Sequence, residues 1–260
     1  MRHFVLHISI KPEVVFYIAG LPVTNSILAG WIALVLFFGL ALAFYRNPQS
    51  KSLYAVAVRS VLKTMYAFFQ PVAGRVGDRV YPLIASLFLF ILLANWIGLL
   101  PGFGSLTIRA PYEVQSVEHT SEKEEKVKHA EYVPLLRGAT ADLNMTLALA
   151  LVSFSAIQYF GLRELKLDFV KKFINFKSPL KFFLGLLEIV SEISKIISFT
   201  FRLFGNMFAG EVLIVVIAFL IPVLASTPFL FLEIFVSVVQ ALVFALLTAV
   251  FINLSTTAHH

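Results

Sequence analysis

The sequence lacks cysteine and is poor in charged residues. The absence of cysteine excludes disulfide bonds, thiolate metal sites and cysteine nucleophiles. Only 14% of the 260 residues are charged and 59% are hydrophobic, whereas a soluble domain has about 25% and about 45–50%. We therefore expect a membrane protein. No apolar stretch near the N-terminus ends in a small-residue cleavage site, so no removable signal peptide is expected.

Apolar stretches long enough to cross a membrane recur along the chain. Residues 27–45, 80–100 and 141–162 each fit one helical crossing of a hydrocarbon core about 30 Å thick. Residues 180–221 and 228–256 are longer than one crossing needs, so we expect them to form a long, strongly tilted hairpin. Ser26 precedes the first span and is a candidate to cap its N-terminus.

The segments between these spans are polar or amphipathic. Residues 1–26 are an outer lead-in broken by proline and glycine, and residues 103–140 are an outer polar loop, expected to be solvated chain. Residues 50–75 mix apolar and basic side chains, which is typical of an interfacial amphipathic helix, although a tightly packed spanning helix is the alternative. The predicted fold is a single membrane domain over residues 1–260. It is an all-α integral membrane protein with about five membrane-crossing helices plus one interfacial amphipathic helix.

Basic residues are concentrated in residues 46–79 and 163–181. One predicted crossing precedes the first segment and two lie between the segments, so both fall on the same side of the membrane. The positive-inside rule makes that side cytoplasmic. The N-terminus is then outside and the C-terminus cytoplasmic. The net charge of +6 follows from these basic loops and does not require a nucleic-acid partner.

A polar stripe runs through the apolar residues 188–211. An isolated charged side chain at the centre of a membrane helix costs roughly 2.5–3.5 kcal/mol, so several are tolerated only if they face protein, water or each other. Glu211 lies about 180° from Arg202, so one helix presents a cation and a carboxylate to different surroundings. This arrangement is typical of an ion pathway. The side chains of the stripe fall within an arc of about 80°: Glu188, Ser191, Lys195, Ser198, Arg202 and Asn206.

The last span carries a second polar stripe. Glu233, Ser237 and Gln240 lie within about 60° of one another, with Thr248 near the same side. Glu211 ends one long helix and Glu233 begins the next, so we expect the two carboxylates to approach each other across the hairpin. The alternative is that these polar groups only join the helices by hydrogen bonds.

Other polar residues allow two interpretations each. Asp142 and Asn144, at the start of the third span, either cap the helix or line an aqueous entrance. Asn95 either makes a plain interhelical hydrogen bond or has a functional role. His119 and His129 lie ten residues apart without paired ligands, so no metal site and no cofactor is predicted.

Four short motifs carry a family resemblance. RLFGNMFAGE at 202–211 and VQALVF at 239–244 are the most specific, and TADLNMT at 140–146 and ANWIGLLPG at 94–102 extend the match over most of the chain. The sequence resembles subunit a of bacterial F-type ATP synthases. The resemblance implies that Arg202 is the family's essential arginine and that Asn206, Glu211 and Gln240 are its polar partners. Glu233 stands where family members carry His, Glu or another residue. No histidine lies in any predicted span, which leaves open how protons enter.

The resemblance implies a proton-translocating stator subunit. In such a subunit two offset aqueous half-channels reach a ring of c subunits, and the arginine keeps the half-channels apart while coupling proton flow to ring rotation. The implied partners are the c-subunit ring, b-type peripheral stalk subunits, the remaining FoF1 complex and the lipid bilayer of a bacterial plasma (inner) membrane. The chain itself would not hydrolyse ATP. The cytoplasmic half-channel would be lined by Glu188, Ser191, Lys195 and Asn206, and the outer one by Asp142, Asn144, Glu211, Glu233 and Gln240.

Three alternatives remain at this point. A sodium-translocating version of the same subunit would look similar, because the ion is selected largely by the ring. A secondary transporter would predict paired halves related by a repeat, and no such halves stand out in the sequence. A purely structural membrane scaffold would give no reason for an arginine inside an apolar span.

Overall fold

The structure is a computed structural model that describes most of the chain. It describes residues 12–100, 107–109, 114–120, 123–129, 132–166, 169, 173, 179–220 and 226–257. Long helices dominate this part of the chain: α1 Asn25–Arg46, α2 Leu53–Ala73, α3 Gly77–Gly98, α4 Leu143–Leu165, α5 Pro179–Leu220 and α6 Ser226–Thr256.

The predicted class, an all-α integral membrane protein, is confirmed. Among the described residues, five helical stretches are long and apolar enough to cross a membrane. Four of them have bounds close to those of predicted spans, whereas the second runs through both α2 and α3 and so includes residues predicted to form the interfacial helix. These stretches are Asn25–Arg46, Leu53–Gly98, Leu143–Leu165, Pro179–Phe219 and Thr227–Thr256.

Side-chain caps fix where three of the helices begin. The Thr24 side chain accepts a hydrogen bond from the backbone N–H of Ile27 at 3.4 Å and caps α1. The expectation that Ser26 is this cap is wrong, since the Ser26 hydroxyl donates to Asp142 Oδ2 at 2.5 Å instead. Asp142 in turn caps α4, and Ser52 caps α2. Each cap satisfies a backbone N–H that the first helical turn leaves unpaired.

Helix α2 folds back along the start of α3 through the short 3₁₀ turn Gly74–Val76. The Tyr81 hydroxyl donates to the backbone carbonyl of Leu62 at 2.7 Å. Gly74 has a φ of +63° and lies against the Asn253 side chain, so an alanine there would be both strained and crowded. Helix α2 buries Met65 and Phe69 and exposes Phe68, which fits an amphipathic helix. Its position at the membrane interface stays a prediction.

Helix α6 is the centre of the core, because it packs against α2, α3, α4 and α5. It runs antiparallel to α5: the rings of Phe199 and Phe244 lie 4.8 Å apart, and Asn206 on α5 is hydrogen-bonded to Gln240 on α6. The predicted pairing of the last two long helices is therefore observed, while their tilt in the membrane stays a prediction. The largest buried side chains of this core are Phe69, Ile84, Ile91, Ile157, Leu203, Phe244 and Ile252.

The two segments predicted to lie outside contain short antiparallel strands that the sequence did not predict. The lead-in holds β1 Val14–Ile18 paired with β2 Leu21–Thr24. In the polar loop, β3 Thr107–Arg109 pairs with β6 Tyr132–Pro134, and β4 Val114–Thr120 pairs with β5 Lys123–His129. Only two residues separate β4 from β5, a spacing that favours a hairpin. Polar composition alone had suggested unpaired chain.

Candidate ion pathway along the α5–α6 hairpin

Arg202 lies on the exposed face of α5. Its Nη2 donates to the Ser198 hydroxyl at 3.2 Å, one helical turn earlier on the same face. Among the described residues, no carboxylate forms an ion pair with this guanidinium. The neighbouring Phe201 is 57% exposed, whereas Leu203 on the opposite side of the helix is fully buried. The arginine therefore points away from the rest of the chain.

The predicted polar stripe of α5 divides into an exposed and a covered part. Ser191, Ser198 and Asn206 are exposed together with Arg202, and Glu188 is half-buried. Lys195 turns inward: its side chain is 19% exposed and its Nζ donates to Glu192 Oε1 at 2.6 Å. The stripe therefore meets two kinds of surroundings along the helix.

A buried polar cluster connects α5 with α4 and α6. Glu192 is 6% exposed and accepts hydrogen bonds from Lys195 and from Gln158 Nε2, the latter at 2.9 Å. The Lys195 Nζ lies 4.9 Å from the centre of the Phe251 ring. Sequence reasoning did not select Glu192 or Gln158. The signal for Glu192 was an acidic residue three positions before a lysine within an apolar span, a spacing that allows a pair on one helix.

The predicted stripe of α6 faces inward along its whole length. Glu233, Ser237, Gln240 and Thr248 are all buried. Gln240 Oε1 accepts from Asn206 Nδ2 at 2.9 Å and so joins the polar stripes of the two helices. The Thr248 hydroxyl is 2.7 Å from that of Ser153 on α4, so at this residue the hydrogen-bonding interpretation holds.

Two buried polar atoms of α6 lack a partner among the described residues. They are Glu233 Oε1 and Gln240 Nε2. An unpaired polar atom in a protein interior costs free energy unless water or another group reaches it. Both side chains face α5, so this face of the hairpin has the polarity that a hydrated passage requires.

Glu211 and Glu233 meet different partners. The Glu233 carboxylate packs against Gly210, where a Cβ atom would collide with it. It therefore reaches the residue next to Glu211, at the same level of the hairpin. The Glu211 carboxylate is instead held by Arg137, whose Nε lies 3.1 Å from both Oε1 and Oε2.

Sequence reasoning missed Arg137. Its side chain is only 8% exposed, and its guanidinium lies 5.6 Å from the centre of the Phe208 ring on α5. The available signal was an arginine just before the third span, on the side predicted to be outside, where the positive-inside rule gives no reason for a basic residue.

The N-terminal ends of α1 and α4 and the C-terminal end of α3 share a polar cluster. Asp142 is 2% exposed, accepts from Ser26 and from the Asn144 backbone N–H, and so acts as a helix cap. The Asn144 side chain is exposed. Asn95 accepts a hydrogen bond from the Thr140 hydroxyl at 2.6 Å, which ties α3 to the turn before α4. Within the described residues, no group of three histidine or carboxylate side chains is arranged to hold a metal ion.

The fold and these contacts define a multi-pass, all-α membrane protein with an exposed arginine and buried carboxylates inside its apolar helices. The chain belongs to the ATP synthase A chain family, whose sequence model matches residues 27–253. It is similar to the ATP synthase subunit a of Legionella pneumophila, with 29% identity over 247 residues that cover 94% of this chain and 91% of that protein. The resemblance seen in the sequence motifs is confirmed, and the chain is a component of the Fo sector of an F-type ATP synthase.

Proposed function

We propose that this chain is the proton-translocating stator subunit of its ATP synthase and that Arg202 separates two aqueous half-channels. The observation that carries the proposal is the exposed guanidinium on α5, whose described partner is a serine hydroxyl. A guanidinium keeps its charge at any relevant pH, and a charge inside a membrane is costly. Arg202 therefore needs an anionic partner outside this chain, and a ring carboxylate of the c subunits supplies one.

Arg202 acts on the ring carboxylate in two ways. Its positive charge attracts the ionised carboxylate and so favours release of the proton as each ring site approaches. Because the guanidinium cannot give up its own proton, it cannot pass protons directly between the two half-channels. Flux then requires rotation of the ring, and each proton that crosses contributes about 2.3 kcal/mol per 100 mV of membrane potential.

The two half-channels are lined by different residues. Glu188, Ser191, Lys195 and Asn206 line the cytoplasmic one, and Asn144, Glu211, Glu233 and Gln240 line the outer one, with Asp142 at its entrance. The unpaired polar atoms of Glu233 and Gln240 support a hydrated outer passage. Buried carboxylates that water can reach are suitable groups to exchange protons, so the missing histidine does not block entry.

The proposed setting is the plasma membrane of a bacterium, with the N-terminus outside and the C-terminus in the cytoplasm. The basic segments 46–79 and 163–181 support this orientation. The c-ring faces the exposed side of α5, and b-type stalk subunits hold the chain against rotation. Synthesis and hydrolysis of ATP take place elsewhere in the complex.

The variant Arg202→Ala tests the proposal in the purified whole complex, reconstituted into vesicles. ATP-driven acidification of the vesicles should disappear while ATP hydrolysis persists, because rotation is no longer coupled to proton flow. The matched control is Arg163→Ala, which removes an exposed arginine at the end of α4 and should leave acidification unchanged. Normal pumping by Arg202→Ala would refute the role. ATP-driven uptake of sodium ions in place of acidification would favour the sodium-translocating alternative.

A further inference from the structure

We infer that Arg137 is a positioning residue of the outer half-channel. It holds the Glu211 carboxylate in place, and its fixed positive charge stabilises the ionised form of that carboxylate when the proton is released. The inference rests on the proposed function and names a residue that neither the sequence motifs nor the family resemblance had selected. Arg137 lies 74 residues before its partner in the chain, ahead of α4.

The contact between the two side chains leaves one side of the Glu211 carboxylate accessible. Arg137 Nε lies 3.1 Å from each oxygen of the Glu211 carboxylate. The arginine side chain is 8% exposed, whereas the glutamate side chain is 37% exposed. The carboxylate therefore meets a covered positive charge on one side and keeps its other side open. A proton can reach Glu211 from the open side without separating the pair.

The position of Arg137 is fixed by the segment around it. Leu136 packs against the small core between α1 and α3, and Gly138 lies close to Gly98 at the end of α3. Thr140 donates to the buried Asn95, also on α3. These contacts hold the backbone on both sides of Arg137. The guanidinium of Arg137 therefore has less freedom to move away from the carboxylate than the guanidinium of a mobile surface arginine has.

The pair is also anchored on α5 itself. The guanidinium lies 5.6 Å from the centre of the ring of Phe208, which precedes Glu211 by three residues and so stands on the same side of the helix. Arginine favours this position over an aromatic face because its planar cation interacts with the ring. Arg137 thus contacts both Phe208 and Glu211 on one face of α5. The 3₁₀ turn Ala139–Ala141, which follows Arg137 in the chain, packs against the same helix.

Glu211 has two charged or titratable neighbours among the described residues. Arg137 faces it from the segment before α4, and Glu233 of α6 packs against the adjacent Gly210. A nearby cation favours the ionised form of a carboxylate. Arg137 is the cation that contacts Glu211, so Glu211 can release its proton while Glu233 packs against the neighbouring residue. Arg202 lies on the opposite side of α5, about 180° away, and does not take this role.

The test is the dependence of proton flux on the pH of the outer face, measured with the whole complex in proteoliposomes. In Arg137→Gln the carboxylate loses its fixed cation and holds its proton up to a higher pH. The midpoint of the flux profile should therefore move to higher pH by roughly one unit or more. Arg137→Lys keeps the charge and should retain most of the wild-type profile, which a purely geometric role of the guanidinium would not predict.

A double variant separates this role from a structural one. If Arg137 acts through Glu211, then Arg137→Gln should add nothing to the flux defect of Glu211→Gln. This double variant also leaves no unpaired buried charge, so it assembles even where Arg137→Gln alone assembles poorly. The matched control is Arg79→Gln, which breaks an exposed Arg79–Glu164 pair of 2.9 Å and should leave the profile unchanged.

The outcomes distinguish this inference from the proposed function. If Glu211→Gln leaves flux unchanged, the proposed outer pathway fails. If Glu211→Gln slows flux but Arg137→Gln keeps the wild-type midpoint, or the two defects simply add, only the role of Arg137 is overturned. A shifted midpoint in Arg137→Gln that is absent in the Glu211→Gln background supports it.

Discussion

Arg202 and Arg137 have the same side chain in opposite surroundings. Arg202 stands on an exposed face with a serine hydroxyl beside it, whereas Arg137 is covered, paired with Glu211 and set over Phe208. The charge of a buried, paired arginine is already compensated, so it has little attraction left for a passing anion. An exposed arginine without a carboxylate keeps that attraction. Pairing and burial thus separate a fixed electrostatic support from a group that can meet a moving partner.

The largest effect is expected from a variant in which Arg202 has a carboxylate partner within this chain, as Arg137 has. In Ser198→Glu the new side chain stands one helical turn before Arg202, the favourable order for an ion pair on a helix. Arg202 then resembles Arg137, with its charge satisfied inside the chain. ATP-driven acidification by the reconstituted complex should fall to background, although the arginine is still present.

The control for this variant is Ser198→Gln, which has nearly the same size and shape but no charge. It removes the contact between Ser198 and Arg202, now 3.2 Å, without neutralising the guanidinium, so substantial pumping should remain. Equal loss in both variants would mean that crowding, rather than pairing, stops the ring. Full pumping by Ser198→Glu would show that Arg202 does not need a free charge.

A smaller effect is expected where Glu233 meets α5. In Gly210→Ala the new methyl group collides with the Glu233 carboxylate, which has to move away from the level of Glu211. Overpacking of this kind costs roughly 1–3 kcal/mol of stability. Proton flux should fall several-fold, as it should in Glu233→Gln, and the unfolding temperature of the complex should drop.

Gly39→Ala is the matched control for this change. It makes the same substitution in a membrane helix, but nothing lies within 4 Å of the added Cβ atom. Flux and unfolding temperature should both stay at the wild-type level or rise slightly, because alanine favours a helix more than glycine does. Wild-type flux in Gly210→Ala would mean that the position of Glu233 does not matter for the outer pathway.

The exposed arginine could be predicted from sequence because its signal is local. A charge inside an apolar span is costly wherever the helix packs, and helical periodicity places Ser198, Arg202 and Asn206 on one face without knowledge of the neighbours. The five membrane stretches follow from length and composition for the same reason.

The covered arginine could not be predicted in this way. Its partner is 74 residues away, and the contact depends on how the turn before α4 meets α5, which no local period determines. The cluster of Glu192 with Gln158 could not be predicted for the same reason, because its members lie on two different helices. Asp142 shows a further limit: capping and lining an entrance require the same residue at the same place, and only the hydrogen bond from the Asn144 backbone N–H favours capping.

The smallest effect is expected from the part of the polar loop that lies beyond strands β3 and β6. Strands β4 and β5 pair with each other, whereas β3 and β6 close the base of the loop by pairing Arg109 with Tyr132. Deleting residues 113–131 leaves three residues between these two, enough for a short hairpin connection. The ratio of protons pumped to ATP hydrolysed should remain at the wild-type value.

Gly98→Ala is the contrasting variant, because its Cβ atom would lie 2.8 Å from the Gly138 Cα and displace the segment that carries Arg137. If the deletion lowers the ratio as much as this single methyl group does, the loop contributes to coupling and is more than a solvated insertion.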